Sequence, residues 1–243
     1  MVMPDFIGPN RSRALALSMA PKRIHSLAIW FCTFSAAFAL GEQAKTDRLP
    51  EPFWEKPANR KKLKDDRAVL VSVNTEDVKD RQGNVRLAMA GAGYVNRSRE
   101  HAFKLSQEYW RLQDVSDHFK TVKWDPAKSE LFVITEALRY QARMILKITP
   151  SNDDVAKKSR IGWEVIWGHF LGMKGEIALE SIDAKTTLIS LRGNYEAKEL
   201  PLPKVLMGFA LEIITQKVAE KMRTYIETHS PSVTASPTPT PSK

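Results

Sequence analysis

Apolar and polar residues alternate along five successive segments, which are 131–136, 140–149, 161–167, 176–182 and 186–192. Strict alternation points successive side chains to opposite faces of a strand. Five such segments in a row predict an antiparallel sheet with one buried face and one face in water. Two earlier β-rich runs, 68–73 and 84–95, predict two more strands joined across Gln82-Gly83-Asn84.

Two segments have helical periodicity instead. Ser98 is placed as an N-cap, and a stripe with steps of three and four residues follows it at Ala102, Leu105, Tyr109 and Leu112. A longer helix is predicted from about Pro203 to Glu227, with a stripe formed by Met207, Leu211, Ile214, Val218, Met222 and Tyr225. Its first half is apolar nearly all round, so we expect it to contact neighbours on more than one side.

The order of these elements predicts the fold class. A meander with one apolar face curls, and another element must cover its concave side. The C-terminal helix is the only predicted element long enough to do so. We therefore predict an α+β helix-grip fold, in which a curved antiparallel sheet wraps around a long C-terminal helix. Such an arrangement leaves room for an apolar cavity between the sheet and the helix.

The N-terminal region has the pattern of a targeting signal. Lys22 and Arg23 precede a largely apolar run at 27–40, and Ala37-Phe38-Ala39 offers small residues for cleavage after Ala39. We expect residues 1–41 to be a signal peptide region and the protein to be exported to the periplasm or outside the cell. A buried helix and an uncleaved anchor are the alternatives, and Met19 is an alternative start to Met1.

The rest of the chain divides by composition. Residues 42–66 are polar and proline-containing, which predicts a linker or an arm on the surface, although the adjacent aromatics Phe53 and Trp54 predict docking somewhere. Residues 67–229 carry all the periodic segments and form the predicted domain. Residues 230–243 are rich in proline, serine and threonine and are expected to be disordered.

The charge and the cysteine content limit the classes of partner and of metal site that the chain is expected to have. The chain has 37 basic and 28 acidic residues, a formal charge of +9, and the two signs are interleaved along most segments. The one dense basic cluster, residues 60–64, is interpreted as solvated linker, with a nucleic-acid-binding arm as the alternative; no nucleic acid partner is expected. Cys32 is the only cysteine, so the chain contains no disulfide and no cluster of thiolate ligands.

Three stretches resemble a known superfamily. They are Tyr94-Val-Asn-Arg-Ser-Arg-Glu-His-Ala-Phe-Lys-Leu105, the glycines Gly168, Gly172 and Gly175 with the strands that follow them, and the ending Met222-Arg-Thr-Tyr-Ile-Glu227. In pattern and order, residues 67–229 are similar to START-like domains, the superfamily of polyketide cyclases, coenzyme Q-binding proteins and Bet v 1-like proteins. The resemblance implies a helix-grip fold that holds a lipid, a sterol-like molecule, a quinone or another apolar molecule. Function follows from such a fold only by analogy.

The predicted ligand contacts are apolar residues expected to face the concave side. They are Met144, Leu146, Trp163, Val165, Trp167, Phe209 and Ile213. Ordinary core packing is the alternative for each of them, and residues of these types have that role more often than they contact a ligand. Glu136 and His169 are the candidate polar groups of the pocket: Glu136 lies at the end of an apolar strand with Arg139 or Arg143 as a partner, and an exposed strand end is its alternative.

Catalytic and metal-binding motifs are not found in the sequence. No pair among the five histidines has metal-ligand spacing, and neither a glycine-rich phosphate loop nor a serine elbow is present. No metal, cofactor or catalytic residue is therefore predicted. The preferred function is binding, and carriage, of a hydrophobic small molecule, with a membrane surface as a second partner to consider. A cyclase, dehydratase or hydrolase using Glu136 or His169, and a ligand-free envelope interaction module with a filled core, are the rivals.

Overall fold

The alternating segments form eight β-strands in the computed structural model. It describes residues 49–78, 83–137, 140–198, 200 and 204–232, and for residues 204–206 it describes only the backbone. The strands are β1 (Leu70–Asp77), β2 (Val85–Val95), β3 (Phe119–Asp125), β4 (Glu130–Ala137), β5 (Tyr140–Asp153), β6 (Lys158–Gly168), β7 (Lys174–Ser181) and β8 (Thr187–Ala197). The predicted signal region, 1–41, and the tail beyond Ser232 lie outside the described residues.

All eight strands belong to one antiparallel sheet with the order β1-β2-β8-β7-β6-β5-β4-β3. Strands β3 to β8 form a continuous meander. The second strand, β2, pairs with β8, which comes last in the sequence. The strand β3 is an addition to the seven strands that the sequence predicts. The long-range pairing of β2 with β8 places the N-terminal hairpin beside the end of the meander.

The C-terminal helix α4 (Lys204–Thr228) covers this sheet, as predicted. It packs against β1 and β2 and reaches the shorter helices. The Glu212 carboxylate accepts a hydrogen bond from the backbone N–H of Val73 at 3.3 Å. Near the C-terminal end of the helix, Glu227 forms an ion pair with Arg67, which precedes β1, at 2.6 Å. The fold is therefore a helix grip, in which α4 is held beside β1 by Glu212, by Glu227 and by its apolar side.

The first predicted helix is divided into pieces. Helix α2 (Arg99–Ser106) begins where expected, because the Ser98 hydroxyl accepts a hydrogen bond from the His101 N–H at 3.3 Å. The helix ends at Ser106, and a 3-10 turn (Tyr109–Arg111) and helix α3 (Leu112–Val115) follow. The prediction of one helix through Leu112 was wrong. Glu108 leaves helical geometry, with φ of −79° and ψ of 60°, and its carboxylate accepts hydrogen bonds from Tyr225 and Ser232.

The proline-containing segment before the domain has helical structure between Phe53 and Asp65. A 3-10 turn at Phe53–Glu55 leads into helix α1 (Pro57–Asp65). Trp54 and Leu63 are buried against Ala90 and Ala92 of β2. The basic cluster at 60–64 lies on this helix, where the four basic side chains are exposed around the buried Leu63.

Candidate functional site

A cavity of about 480 Å³ lies between the sheet and α4. Apolar side chains supply nearly all of its wall, and they come from all eight strands, from α4 and from the segment after α2. The strand residues of the wall include Val71, Leu87, Met89, Leu131, Val133, Ile161, Ile177 and Leu191. This composition matches small-molecule sites, which are mostly apolar with a small number of polar groups.

Strand β5 contributes one complete row of the wall. Tyr140, Ala142, Met144, Leu146 and Ile148 all line the cavity, and these are the alternate positions that the sequence assigns to one face. Met144 and Leu146 contact two separate groups of buried side chains, one around Leu87 and Met207 and the other around Val122 and Ile148. The β5 row thus joins the two halves of the core across the cavity.

The predicted ligand contacts on β6 lie partly in the wall. Trp163 and Val165 line the cavity, but Trp167 does not and is 54% exposed. The register explains the difference: Leu146 pairs with Val165, whereas Ile145 pairs with Trp167, so Ile166 is an extra residue that forms a β-bulge. A one-residue shift turns the following side chains to the other face. Trp167 therefore shares the outer face with Ile145, contrary to the expectation that it faces the concave side.

Helix α4 presents one face to the cavity, and two predicted residues are not on it. The lining positions follow each other at steps of three and one and include Met207, Ala210, Leu211, Ile214, Thr215, Val218, Ala219 and Met222. Phe209 is 67% exposed and Ile213 is 37% exposed, and neither lines the cavity. The expectation that both face the concave side is not met, because these two positions are one turn apart on the opposite side of the helix.

Glu136 reaches the cavity at the end of β4. It lines the wall and is also exposed, so the cavity approaches the protein surface at this point. Two hydrogen bonds join its backbone to His118, from the Glu136 N–H to the His118 carbonyl at 2.8 Å and between His118 Nδ1 and the Glu136 carbonyl at 3.1 Å. Arg143, a proposed partner of Glu136, donates instead to the Gln141 side chain, and Arg139 lies outside the described residues.

His169 is placed away from the wall. Its Nδ1 accepts a hydrogen bond from the Arg143 N–H at 3.1 Å, and its own N–H donates to the Arg143 carbonyl at 2.9 Å. The imidazole is exposed and packs edge-on against the Tyr140 ring, with 5.8 Å between the ring centres. Of the two candidate polar groups, Glu136 lines the cavity and His169 fastens the β6–β7 loop to β5.

Tyr109 is a polar residue of the wall that sequence reasoning treated only as part of a helical stripe. It is buried, its ring lies 4.7 Å from that of Trp124, and its hydroxyl has no hydrogen-bond partner within the described part of the chain. Burial raises the pKa of this phenol to about 12. Its position in an apolar stripe is the only signal the sequence holds, and that signal equally describes an ordinary core tyrosine.

Within the described ranges, no group of three or more histidine, cysteine, aspartate or glutamate side chains is placed to hold a metal ion. Across the same ranges, none of the helices combines the length and the apolar composition that a membrane span requires.

No protein-family model and no curated protein sequence matches the chain. Solved structures do match. A START superfamily protein from Mycobacterium smegmatis is 14% identical with a TM-score of 0.48, and the match covers 58% of this chain and 97% of that one. A STAR-related lipid transfer protein fragment from Xanthomonas axonopodis is 10% identical with a TM-score of 0.49, over 64% and 98% of the two chains. The Zhui aromatase/cyclase from Streptomyces sp. R1128 is 9% identical with a TM-score of 0.47, over 58% and 94%.

Identities and scores at this level do not transfer an activity, so the fold is assigned on the chain's own topology. One curved antiparallel sheet of eight strands is closed by a single long C-terminal helix, with two short helices after the second strand. This is the arrangement that the sequence resemblance implied. The chain has a START-like helix-grip fold.

Proposed function

We propose that the protein binds one hydrophobic small molecule in the cavity between the sheet and α4, and that it carries this molecule. The single observation that supports the proposal is the cavity itself, about 480 Å³ in volume and apolar over almost all of its wall. Sites for small ligands commonly measure about 300–1,000 Å³. A filled core, as the interaction-module alternative requires, would leave no such space.

The affinity would come from removing apolar surface from water. At about 25 cal/mol per Å², a ligand that buries about 300 Å² of apolar surface gains about 7.5 kcal/mol before the cost of association is subtracted. A lipid, a sterol-like molecule or a quinone has enough apolar surface for this. The polar groups of the wall would orient such a ligand rather than supply most of the free energy of binding.

A cavity-filling substitution tests the site directly. Ala142 lines the cavity, whereas Ala178 follows the lining residue Ile177 on β7 and points to the other face. We expect Ala142→Phe to abolish or strongly weaken uptake of the neutral dye N-phenyl-1-naphthylamine, and Ala178→Phe to leave uptake unchanged. Wild-type protein that takes up no dye, or two variants that behave alike, would contradict the proposal.

The identity of the ligand is a separate measurement. Native mass spectrometry of protein purified from its own host, followed by organic extraction, would show a stoichiometric apolar adduct if the protein is a carrier. A clean ligand-free mass, combined with no uptake from a lipid extract, would count against binding and favour the interaction module.

No observation favours the enzymatic alternative over binding. Glu136 lines the cavity, but His169 is exposed and bound to the Arg143 backbone, so the two do not form a pair facing a common ligand. A cyclase or hydrolase mechanism with these two groups would need both of them at the cavity.

We also propose that the protein is exported and that a signal peptide within residues 1–41 is removed. The support is the order of basic residues, apolar run and small residues around Lys22, 27–40 and Ala39. N-terminal sequencing of the protein recovered from the periplasm or the medium should begin at Leu40 or shortly after it. Recovery of the uncleaved chain from the cytoplasm would contradict this proposal without affecting the cavity.

A further inference from the structure

The cavity is long, and three elements of its wall measure its length independently. Its lining residues lie between positions 87 and 95 on β2 and between positions 140 and 148 on β5. Each of these two strand segments spans about 26 Å, at about 3.3 Å per residue. On α4 the lining residues lie between positions 207 and 226, which is about 28 Å at about 1.5 Å per residue. The three lengths agree, so the cavity extends along most of the helix.

The two ends of the cavity lie in separate parts of the core. Leu87 and Met207 belong to a buried group of side chains at the end where α4 begins. Val95 and Ile226 belong to another buried group at the end where α4 finishes, and helix α2 packs there. All four residues line the cavity. One cavity therefore connects two groups of core side chains that have no member in common among the described residues.

The cavity is also narrow for its length. Its volume of about 480 Å³, divided by a length of about 26 Å, gives a mean cross-section of about 18 Å². A space of this width admits one extended hydrocarbon chain, whereas a fused ring system or two chains side by side need more room. A compact molecule would occupy only part of the length and would leave the rest of the apolar wall without contacts.

The mouth of the cavity lies at the end of the sheet where α4 begins. Gly168, the last residue of β6, pairs there with Met144 near the start of β5, and the start of α4 packs against the same end. Polar residues gather at this end, because His118 and Tyr140 line the cavity beside the exposed Glu136. A polar group of a ligand stays in contact with water at the mouth, so it loses little hydration on binding.

The opposite end of the cavity is buried. Val95 and Ile226 are each 2% exposed, and α2 packs against them. Ser106 and Arg223 also line the cavity towards this end, and the Arg223 guanidinium donates to the Arg67 carbonyl. A strongly hydrated head group would lose its water here, whereas a hydrocarbon terminus has no such water to lose. This end therefore suits the apolar end of a ligand.

We propose that the ligand is a single-chain amphiphile, with an extended hydrocarbon chain along the cavity and a small polar head at the mouth beside Glu136. This inference rests on the proposed function, since it requires that the cavity is a binding site. A fully extended chain advances about 1.2 Å per bond, as an extended backbone does, so a length of about 26 Å holds about 20 carbon atoms. Fatty alcohols, monoacyl lipids and linear isoprenoids have this shape, whereas sterols and two-chain lipids do not.

A chain-length series tests the proposal on the wild-type protein. Primary alcohols of increasing length are measured by their displacement of N-phenyl-1-naphthylamine. We expect the affinity to rise by up to about 4-fold for each added CH₂ group and to level off near about 20 carbons, where the chain fills the cavity. Cholesterol has one hydroxyl on a rigid ring system and should bind about 10-fold more weakly than an alcohol of about 18 carbons, because its width overpacks the wall.

Ala219→Phe tests whether the chain lies along α4. Ala219 lines the cavity about 18 Å along the helix from Met207, so a phenyl ring there should close the inner part of the cavity. The affinity should then level off near about 15 carbons, while the shortest alcohols bind as they do to the wild type. Val218→Phe, at the neighbouring lining position, is a second variant with the same expected result. The control is Ala178→Phe, on the other face of β7, which should keep the wild-type series.

The outcomes separate this proposal from the one on which it rests. Wild-type protein that binds neither the dye nor any alcohol would overturn the binding function and, with it, the single-chain ligand. Dye binding combined with an alcohol affinity that levels off near about 10 carbons, or with a preference for cholesterol, would leave the binding function intact and overturn the extended chain. Equal weakening of every alcohol by folded Ala219→Phe and Val218→Phe proteins would overturn it too, and a thermal melt shows that each variant is folded.

Discussion

The indole of Trp163 lies directly on the backbone of Gly175. The two residues pair across β6 and β7, and a Cβ added at Gly175 would lie 2.3 Å from the indole Cζ2 and 2.4 Å from the Arg192 carbonyl oxygen. Only a residue without a side chain leaves room for the ring in this position. Trp163 contacts both halves of the core and lines the cavity, so Gly175 sets the position of a large part of the cavity wall.

Gly175→Ala should therefore displace the indole and destabilise the protein. Overpacking of this kind costs about 1–3 kcal/mol. Because the contact atoms include a backbone oxygen, a change of side-chain rotamer alone cannot relieve the clash. Urea denaturation would measure the loss, and the tryptophan emission spectrum should change with it.

Gly162→Ala is the matched control for this substitution. Gly162 is also a glycine of β6, but an added Cβ there would meet nothing closer than the Thr149 carbonyl oxygen at 3.6 Å, an ordinary contact. Its free energy of unfolding should stay within about 1 kcal/mol of the wild-type value. Equal destabilisation by both substitutions would show that the close contact between Trp163 and Gly175 does not cause the loss of stability.

The two faces of α4 should respond differently to truncation. Met207 is 1% exposed and lines the cavity, whereas Phe209 is 67% exposed. Met207→Ala should destabilise the protein by about 2–5 kcal/mol, near the lower value because the cavity already limits packing there. Phe209→Ala should change stability by about 0.5 kcal/mol or less. Dye affinity should follow the same order, and a larger effect of Phe209→Ala on dye binding would contradict the assigned face.

Glu108 connects three parts of the fold. Its carboxylate accepts hydrogen bonds from the Tyr225 hydroxyl at 3.0 Å and from the Ser232 N–H at 2.6 Å, and the Arg111 guanidinium lies 4.0 Å away. Burial acts to raise the pKa of Glu108, but the hydrogen bonds from Ser232 and Tyr225 and the charge of Arg111 outweigh it and hold the pKa below its usual value. The ionised carboxylate therefore stabilises the end of α4.

This depressed pKa predicts a dependence of stability on pH. The contribution of Glu108 is fully present above its ordinary pKa of about 4.3 and is lost as the pH falls through the lower pKa of the folded protein. Glu108→Gln should be about 1–3 kcal/mol less stable than wild type at pH 7. The difference should shrink as the pH is lowered below about 4.

Denaturation curves of wild type and Glu108→Gln between pH 3 and pH 7 would measure this difference. Glu55→Gln, at an exposed carboxylate outside the domain core, is the control and should follow the wild type at every pH. A constant gap between wild type and Glu108→Gln across the range would contradict a role for the ionised group.

Much of the cavity wall could be predicted from local pattern. The β5 row from Tyr140 to Ile148 and the α4 stripe through Met207, Leu211 and Ile214 line the cavity as their spacing indicated. A strand's period of two and a helix's period of 3.6 are properties of the backbone, so they assign residues to faces without reference to the rest of the fold.

Each wrong prediction of a residue's position has a specific physical cause. At Trp167 the period was interrupted by one extra residue, Ile166, and a β-bulge depends on how two strands pair rather than on the sequence of one. At Phe209 and Ile213 apolar character alone suggested burial, but an apolar residue is not necessarily inside. At Glu108 the backbone leaves helical geometry, and the carboxylate bonds to residues more than 100 positions away, which local periodicity does not indicate.

The sequence by itself determined seven of the eight strands, the start of α2, the long helix α4 and most of the faces, because hydrophobic periodicity and the Ser98 cap act over a few residues. Only the tertiary structure decided that β2 pairs with β8, that Trp163 rests on Gly175, and that the Tyr109 hydroxyl is buried with no partner among the residues that the structure describes. These features depend on residues distant in the chain meeting in space. The size of the cavity belongs with them, because a void is defined by every side chain around it and by no single segment.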